Sequence, residues 1–394
     1  MLGVLALAEL LGMSLWFAGT AVAPLLAARW ALGATAAAWL AITVQLGFVA
    51  GTALAAALNL ADILPARWYF AAAALAGAMI NALLVWAPSY EIALVIGFLT
   101  GACLAGVYPP AMKMISTWFD VGRGLAIGTI IGALTAGKAL PYLLRSLPEQ
   151  GIEVVVLGAS GAAIAAALLV AVGYRDGPVP FPRRAFDWSL AAQVMRGREY
   201  RLALGSYLGH MWELYSYWVW IPAFIASSMA GAGPTRISLL SFFAIAVGAV
   251  GCVWGGAIAD RIGTAKLVIR ALAISGTCAL LTPLVYGRSP ILLTILIAVW
   301  GMSVIADSAQ FSTLVTRVVP AHAVGTALTL QVSLGFLLTT ISIRIVPPLV
   351  EALGWRWAFP ILALGPAFGI LAMRPLLTKT ASPAGSRLVQ KVPG

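Results

Sequence analysis

Long apolar segments follow one another along nearly the whole chain, separated by short polar turns. About 20 apolar residues cross the ~30 Å hydrocarbon core of a bilayer as a helix. These segments far exceed the roughly ten-residue alternating strands of a membrane barrel, so the pattern predicts an all-α membrane protein. We expect twelve transmembrane helices, near residues 2–28, 35–61, 68–87, 91–118, 123–145, 152–174, 201–228, 237–259, 266–287, 290–317, 323–346 and 355–374.

One stretch, residues 175–200, interrupts the apolar pattern. It is polar, basic and contains several prolines, which is typical of a linker between two units. It divides the chain into residues 1–174 and 201–374, each with six predicted helices, and residues 375–394 follow as a tail. The sequence therefore predicts two pseudo-symmetric six-helix bundles joined by a linker.

Composition excludes a soluble fold and explains the basic charge. The chain has 394 residues, of which 62% are hydrophobic and 9% are charged, whereas soluble domains carry about 25% charged residues. The net charge of +11 does not indicate nucleic acid, because most of the 24 Lys and Arg residues lie in loops on one side of the predicted membrane. By the positive-inside rule, both termini and the linker are expected in the cytoplasm, and the protein in a bacterial inner membrane.

The sequence offers little material for a metal site or an enzyme. The cysteines, Cys103, Cys252 and Cys278, lie within apolar segments without metal-ligand spacing, and the chain has two histidines, His210 and His322. We find no nucleophile motif and no phosphate-binding loop. We therefore expect no enzyme, no cofactor and no metal, and a monomer.

Two loops about half the chain apart share one pattern. The first loop contains Asn59, Asp62 and Arg67, and the second contains Gly256, Asp260, Arg261, Gly263 and Lys266. Each places an acid before a turn and a base after it. Parallel six-helix repeats are one of the transporter architectures that produce such a duplication.

The second loop resembles the G-x-x-x-D-R-x-G-R-K signature of the major facilitator superfamily, although Thr264 departs from it. The segment Tyr108-Pro-Pro-Ala-Met-Lys113 is similar to anion porters of that superfamily. The resemblance implies the major facilitator fold and transport by alternating access. It also implies that the loop residues organise the helix ends during gating: Asp62, Arg67, Gly256, Asp260, Arg261 and Lys266.

Ionisable residues inside the predicted spans are candidates for function, since a charge at a helix centre costs ~2.5–3.5 kcal/mol on insertion scales. Glu9, Lys113, Glu213 and Asp307 lie in predicted helices 1, 4, 7 and 10, which line the central cavity in the resembled fold. The alternative is that each one snorkels or caps a helix end. Lys138 in helix 5 has three open roles: to bind an anionic substrate group, to neutralise a carboxylate or to snorkel outward.

A stripe on helix 7 contains His210, Glu213, Tyr217 and Trp220, spaced i, i+3, i+7 and i+10. At 100° per residue they fall within an arc of about 80°. This spacing predicts a titratable His–Glu pair beside two aromatic surfaces. The alternative is a structural His–Glu link with aromatic residues that serve only packing.

The residues together favour a secondary active transporter that moves a small solute, an organic or inorganic anion. Because a nucleotide-binding motif is missing, we expect an ion gradient to drive it, with protons preferred since His210, Glu213 and Asp307 can titrate. Its partners would be the substrate, protons and the lipid bilayer. Two alternatives stay open: proton-driven efflux of amphipathic or cationic compounds, and a non-transporting membrane receptor.

Overall fold

A computed structural model of the chain describes residues 1–119, 122–147, 151–179 and 187–377, and these are helical nearly throughout. We number the long helices in chain order: α1 Leu2–Trp30, α2 Ala34–Ala57, α3 Ala66–Trp86, α4 Tyr90–Ser116, α5 Arg123–Arg145, α6 Ile152–Gly173, α7 Arg198–Ser228, α8 Pro234–Ala259, α9 Thr264–Val285, α10 Pro290–Val318, α11 Val324–Leu353 and α12 Trp355–Leu376. The all-helical prediction is confirmed.

Eleven of these helices, within the described part of the chain, are long and apolar enough to cross a membrane. The remaining helix, α7, spans 31 residues but is more polar. It carries Arg198, Glu199 and Arg201 in its first turn, and His210 and Glu213 further along. The chain is therefore a multi-pass membrane protein. Helix α7 begins three residues earlier than the sequence predicted.

Several of the predicted continuous helices are interrupted, and the three interruptions in α4, α10 and α1 bear on the site. In α4 the α-helical pattern stops at Leu104 and resumes at Tyr108, and in α10 it stops at Ser303 and resumes at Ser308. In α1 a 3₁₀ segment occupies Met13–Phe17. The interruption of α4 has a local cause, because Pro109 and Pro110 lack the N–H groups that would continue the ladder back into the preceding turn.

The helices pack in the same way within each half. In the first half α1 packs on α5 and α6, α2 on α4, and α3 on α4 and α6. In the second half α7 packs on α11 and α12, α8 on α10, and α9 on α10 and α12. The halves meet mainly where α5 lies on α8 and α2 lies on α11. These two helix-to-helix contacts form the largest part of the boundary at which a central site can lie.

Glycines bring α2 onto α4, and α8 onto α10, at backbone distance. A Cβ at Gly47 would overlap the carbonyl oxygen of Phe98, and one at Gly251 would overlap that of Met302. Small residues that allow such approach are typical of membrane helix interfaces. The close approaches recur at one constant offset along the sequence, with Gly251 after Gly47, Gly255 after Gly51 and Gly301 after Gly97. The two halves therefore share a backbone packing pattern.

Candidate functional site

Within the described residues, five acidic, basic or histidine side chains are buried, and they lie on four helices. The exposed fraction is 0% for Glu9 on α1, 2% for Lys138 on α5, and 1% each for His210 and Glu213 on α7 and Asp307 on α10. Burial of charge requires compensating partners. The partners of each residue therefore show what the cluster can do.

Lys138 is held by aromatic rings at the boundary between the halves. Its Nζ donates a hydrogen bond of 2.5 Å to the hydroxyl of Tyr215 on α7. The same atom lies 3.8 Å from the ring centroid of Trp16, 4.7 Å from that of Tyr215 and 5.1 Å from that of Trp218. All three distances are within the ~6 Å range of cation–π attraction. Lys138 therefore points into the protein and does not snorkel to the outer surface.

Glu9 lies next to Lys138, but no group within the described residues donates a hydrogen bond to its carboxylate. A Cβ at Gly137 would overlap the carbonyl oxygen of Leu10, so α5 and α1 approach at backbone distance beside these two residues. The opposite charges of Glu9 and Lys138 are close enough to attract each other. Among the described residues, however, neither carboxylate oxygen of Glu9 accepts a hydrogen bond.

His210 contacts Asp307, not Glu213 as the sequence predicted. Nδ1 of His210 lies 3.0 Å from Oδ1 of Asp307, which makes an ion pair when the imidazole is protonated. Asp307 is placed there by the turn that interrupts α10, immediately before Ser308 begins the next helical segment. The interruption of α10 therefore brings a carboxylate to the buried face of α7.

Glu213 ties three helices together. Its Oε2 accepts a hydrogen bond of 2.7 Å from Ser275 on α9, and its Oε1 accepts one of 2.8 Å from the indole of Trp300 on α10. Both carboxylate oxygens are thus bonded within the second half. The i, i+3 spacing places Glu213 on the same side of α7 as His210, but other helices supply the partners of each.

Tyr217 and Trp220 also turn into the second half. The hydroxyl of Tyr217 lies 3.2 Å from the carbonyl oxygens of both Ala244 and Ile297. The indole of Trp220 donates a hydrogen bond of 2.9 Å to the carbonyl of Ile343. In this structure their polar atoms therefore bond to the backbone of neighbouring helices.

Lys113 stands apart from this cluster. It lies in the last turn of the helical segment Tyr108–Ser116 and is partly exposed. The predicted position deep within helix 4 is therefore not what the structure shows. The interruption of α4 makes Lys113 part of a short segment near the end of the span.

Most of the predicted gating residues lie at helix ends. The guanidinium of Arg67 donates a hydrogen bond to the carbonyl of Ala171, which ties the start of α3 to the end of α6. Gly256 is buried, and a Cβ there would come within 2.7 Å of the carbonyl oxygen of Gly124 on α5. Arg261 and Lys266 are exposed. The side chains of Asp62 and Asp260 lie outside the described residues.

Sequence reasoning missed the partners that define the cluster: Trp16, Tyr215, Trp218, Ser275 and Trp300. One signal was present, since the i, i+3 spacing of Tyr215 and Trp218 puts two large rings on one face of α7. Ser275 and Trp300 carried no such signal, because they meet Glu213 from helices distant in sequence.

A groove separates α2 from α11 at another part of the boundary. Its volume is about 560 Å³, and the guanidinium of Arg344 lies 5.4 Å from the ring centroid of Trp39 across it. The groove is lined by Trp39, Ile42, Leu46, Thr340, Ile341, Arg344 and Ile345. None of the five buried ionisable residues belongs to this lining.

The sequence of the chain matches the family model described as the Major Facilitator Superfamily over residues 4–343. The chain belongs to this superfamily. It is also 29% identical over 187 residues to the MFS-type transporter pytF of Aspergillus terreus, a match that covers 44% of this chain and 59% of the relative. The matched region thus spans less than two thirds of the relative's length.

Membership in the superfamily confirms two predictions. The chain belongs to a superfamily of multi-pass membrane transporters, and the members of this superfamily are not enzymes. The relative is fungal, so the expected bacterial inner membrane stays a prediction.

Proposed function

We propose that the protein is a proton-driven secondary transporter that moves a small anion across the membrane by alternating access. The observation that carries the proposal is Lys138, a buried cation at the boundary between the halves. The twelfth span in this proposal is α7, so that two six-helix bundles, residues 1–174 and 201–374, flank a central site. Both termini and the linker of residues 175–200 lie in the cytoplasm of a monomer in the inner membrane.

The assignment of α7 as a membrane span rests on its length and its neighbours. A helix of 31 residues is about 46 Å long at 1.5 Å per residue, more than the ~30 Å core requires. It packs on α11 and α12, both of which are apolar enough to cross. Its polar residues His210 and Glu213 are buried in the protein, which is how membrane helices accommodate such groups.

An anionic substrate would supply the negative counter-charge that Lys138 lacks. Within the described residues, Nζ makes one hydrogen bond, to a neutral tyrosine, although an ammonium group has three donors. Its carboxylate neighbour, Glu9, does not accept a hydrogen bond from it. A buried charge without an ion-pair partner is costly, and a bound anion removes that cost. We therefore assign the substrate anion to Lys138.

We assign proton coupling to His210 and Asp307. The two side chains form a buried contact of 3.0 Å, and a change in protonation of either one makes or breaks an ion pair. Glu213 is a weaker candidate because both of its oxygens already accept hydrogen bonds. We assign gating to the loops at Asp62, Arg67, Gly256, Asp260, Arg261 and Lys266.

Binding and counterflow test the proposal in two steps. Thermal unfolding of the purified protein with a panel of anions identifies a ligand, and counterflow in proteoliposomes establishes its transport. Lys138→Ala should then weaken affinity at least about 30-fold, since truncation of one partner of a buried charge pair costs 2–5 kcal/mol. Lys138→Arg should weaken it less.

The matched control is Arg288→Ala, which removes a positive charge from a loop. It should leave affinity unchanged. Normal binding of every anion by Lys138→Ala contradicts the assignment of the anion to this residue. Binding without counterflow would favour the receptor alternative.

Efflux of cationic or amphipathic compounds is the second candidate. It is favoured by three buried carboxyl groups, Glu9, Glu213 and Asp307, and by the buried aromatic rings of Trp16, Tyr215 and Trp218. The same ligand panel, extended to organic cations, separates the two. Stabilisation of the wild-type protein by cations alone would place efflux first.

A further inference from the structure

The three aromatic rings around Lys138 form a cage for a cation. Trp16 comes from α1, and Tyr215 and Trp218 come from successive turns of α7. Tyr215 and Trp218 meet edge to face at a centroid distance of 5.1 Å, and Trp16 lies 5.8 Å from Tyr215. Several rings that face one positive charge are the arrangement that binds quaternary ammonium groups in proteins.

Lys138 occupies the cage mainly through its charge. Its single hydrogen bond in the described part of the chain joins Nζ to Tyr215, one of the rings. The attraction between an ammonium and a ring face needs no hydrogen bond. A ligand cation that makes no hydrogen bonds can therefore replace it, provided the side chain is absent.

The cage also spans the two halves. Lys138 and Trp16 belong to the first half, and Tyr215 and Trp218 belong to the second. Phe17 extends the contact, since its ring meets that of Trp218 edge to face at 6.0 Å. Any cation held in the cage therefore touches both halves at once, as a ligand at the centre of the transporter must.

We propose that Trp16, Tyr215 and Trp218 form an organic-cation site that Lys138 fills as a tethered ammonium, so that Lys138 excludes cations from the centre. Lys138 is in this view the residue that determines charge selectivity. The inference deepens the proposed transport of an anion and rests on it for the role of the wild-type lysine. The cage itself can be tested without any anion.

Removal of the lysine side chain should open the cage. In Lys138→Ala the rings remain, and Glu9 loses the nearby positive charge with which it interacts. We expect the variant to bind tetramethylammonium at least tenfold more tightly than the wild-type protein. Quenching of intrinsic tryptophan fluorescence is a suitable measurement because two of the three rings are indoles.

Two controls define the site. The double variant Lys138→Ala with Trp16→Leu should lose the gained affinity, since it removes the ring nearest to Nζ. Arg344→Ala removes a positive charge that lies across the α2–α11 groove, against Trp39. It should not gain affinity.

The outcomes separate this inference from the proposed function. If a folded Lys138→Ala protein ignores tetramethylammonium as the wild type does, the inference is overturned. If Lys138→Ala does not fold, Lys138→Gln takes its place, and failure of both to fold also overturns it, because Lys138 would then be a structural cation. If Lys138→Ala gains affinity for the cation but the wild-type protein binds no anion, the inference of a cation cage is supported and the anion proposal is refuted.

Discussion

The two halves of the protein share their backbone packing but not their buried chemistry. Glycines join α2 to α4 in the first half as they join α8 to α10 in the second. The buried acids differ: Glu213 accepts two hydrogen bonds and Asp307 contacts His210 within the second half. In the first half Glu9 accepts none among the described residues, and Lys138 bonds across the boundary to Tyr215.

This difference indicates a division of labour. The two hydrogen bonds of Glu213 and the contact between Asp307 and His210 fix α7, α9 and α10 relative to one another, because they must be broken before those helices separate. Lys138 instead connects the halves through one hydrogen bond to Tyr215 and through the rings of Tyr215 and Trp218, and that contact must be lost whenever the halves move apart. In the proposed mechanism the first half therefore supplies the group that changes partners, and the second half supplies the frame and the site of the proton.

The largest expected effect concerns the proton. Asp307→Asn removes the carboxyl group that contacts His210 while it keeps the volume, so proton-driven concentrative transport should vanish and substrate exchange should survive. Glu9→Gln in the first half should retain concentrative transport. Uptake and exchange in proteoliposomes measure both. Intact accumulation by Asp307→Asn would remove this pair from the mechanism.

Glu213→Gln sharpens the same test. The glutamine oxygen can accept the hydrogen bond of Trp300, and its amide can donate to Ser275, so the frame persists. We expect this variant to keep concentrative transport. Its loss alongside preserved exchange would move the coupling site from Asp307 to Glu213, as the sequence pattern first suggested.

The second effect is on stability. Glu213→Ala leaves the buried indole N–H of Trp300 without an acceptor, at about 1–3 kcal/mol for an unsatisfied group, while Ser275 keeps a bond to the carbonyl of Leu272. Glu9→Ala removes a carboxylate that satisfies no donor, so its cost should be smaller. In detergent, Glu213→Ala should unfold at a lower temperature than Glu9→Ala. The opposite order would contradict the contrast between the halves.

The sequence predicted the helices better than the site because the two depend on different information. Apolar length alone identifies a span, and eleven predicted spans were recovered this way. The spacing of His210 and Glu213 correctly placed them on one side of α7 but could not predict their partners. Their partners come from other helices: Asp307, Ser275 and Trp300. The turn that positions Asp307 contains no proline, so nothing in the sequence signals it.

The third prediction tests the shared backbone pattern. Gly47→Ala and Gly251→Ala each place a methyl group against a backbone carbonyl, so both should destabilise by about 1–3 kcal/mol, the usual cost of overpacking. Similar shifts in unfolding temperature are expected, because the two contacts are counterparts. Gly161→Ala is the control, since open space surrounds that position in α6. Unequal effects of the first two would show that the repeat is not energetically symmetric.

The smallest expected effect concerns the linker that joins the halves. This linker is hydrogen-bonded to the second half. The backbone N–H of Asp187 donates to the hydroxyl of Thr326 in α11 at 3.0 Å. The carboxylate of Asp187 accepts hydrogen bonds from the backbone N–H and the hydroxyl of Ser189, at 2.8 and 2.7 Å, and so caps the linker helix Trp188–Arg196. These bonds hold the pKa of Asp187 below its ordinary value of 3.8.

Because that pKa is lowered on folding, the capping contribution is fully present above pH 3.8 and is lost as the pH falls through the lower, folded value. The amide of Ser189 should therefore lose protection from hydrogen exchange, relative to its intrinsic rate, as the pH falls below 3.8. Asp187→Asn keeps a good helix cap without a titrating group, so its protection should not depend on pH, whereas Asp187→Ala should be unprotected throughout. An acid-induced loss of equal size in Asp187→Asn would assign the change to another group and leave the attachment of the linker to the second half without this support.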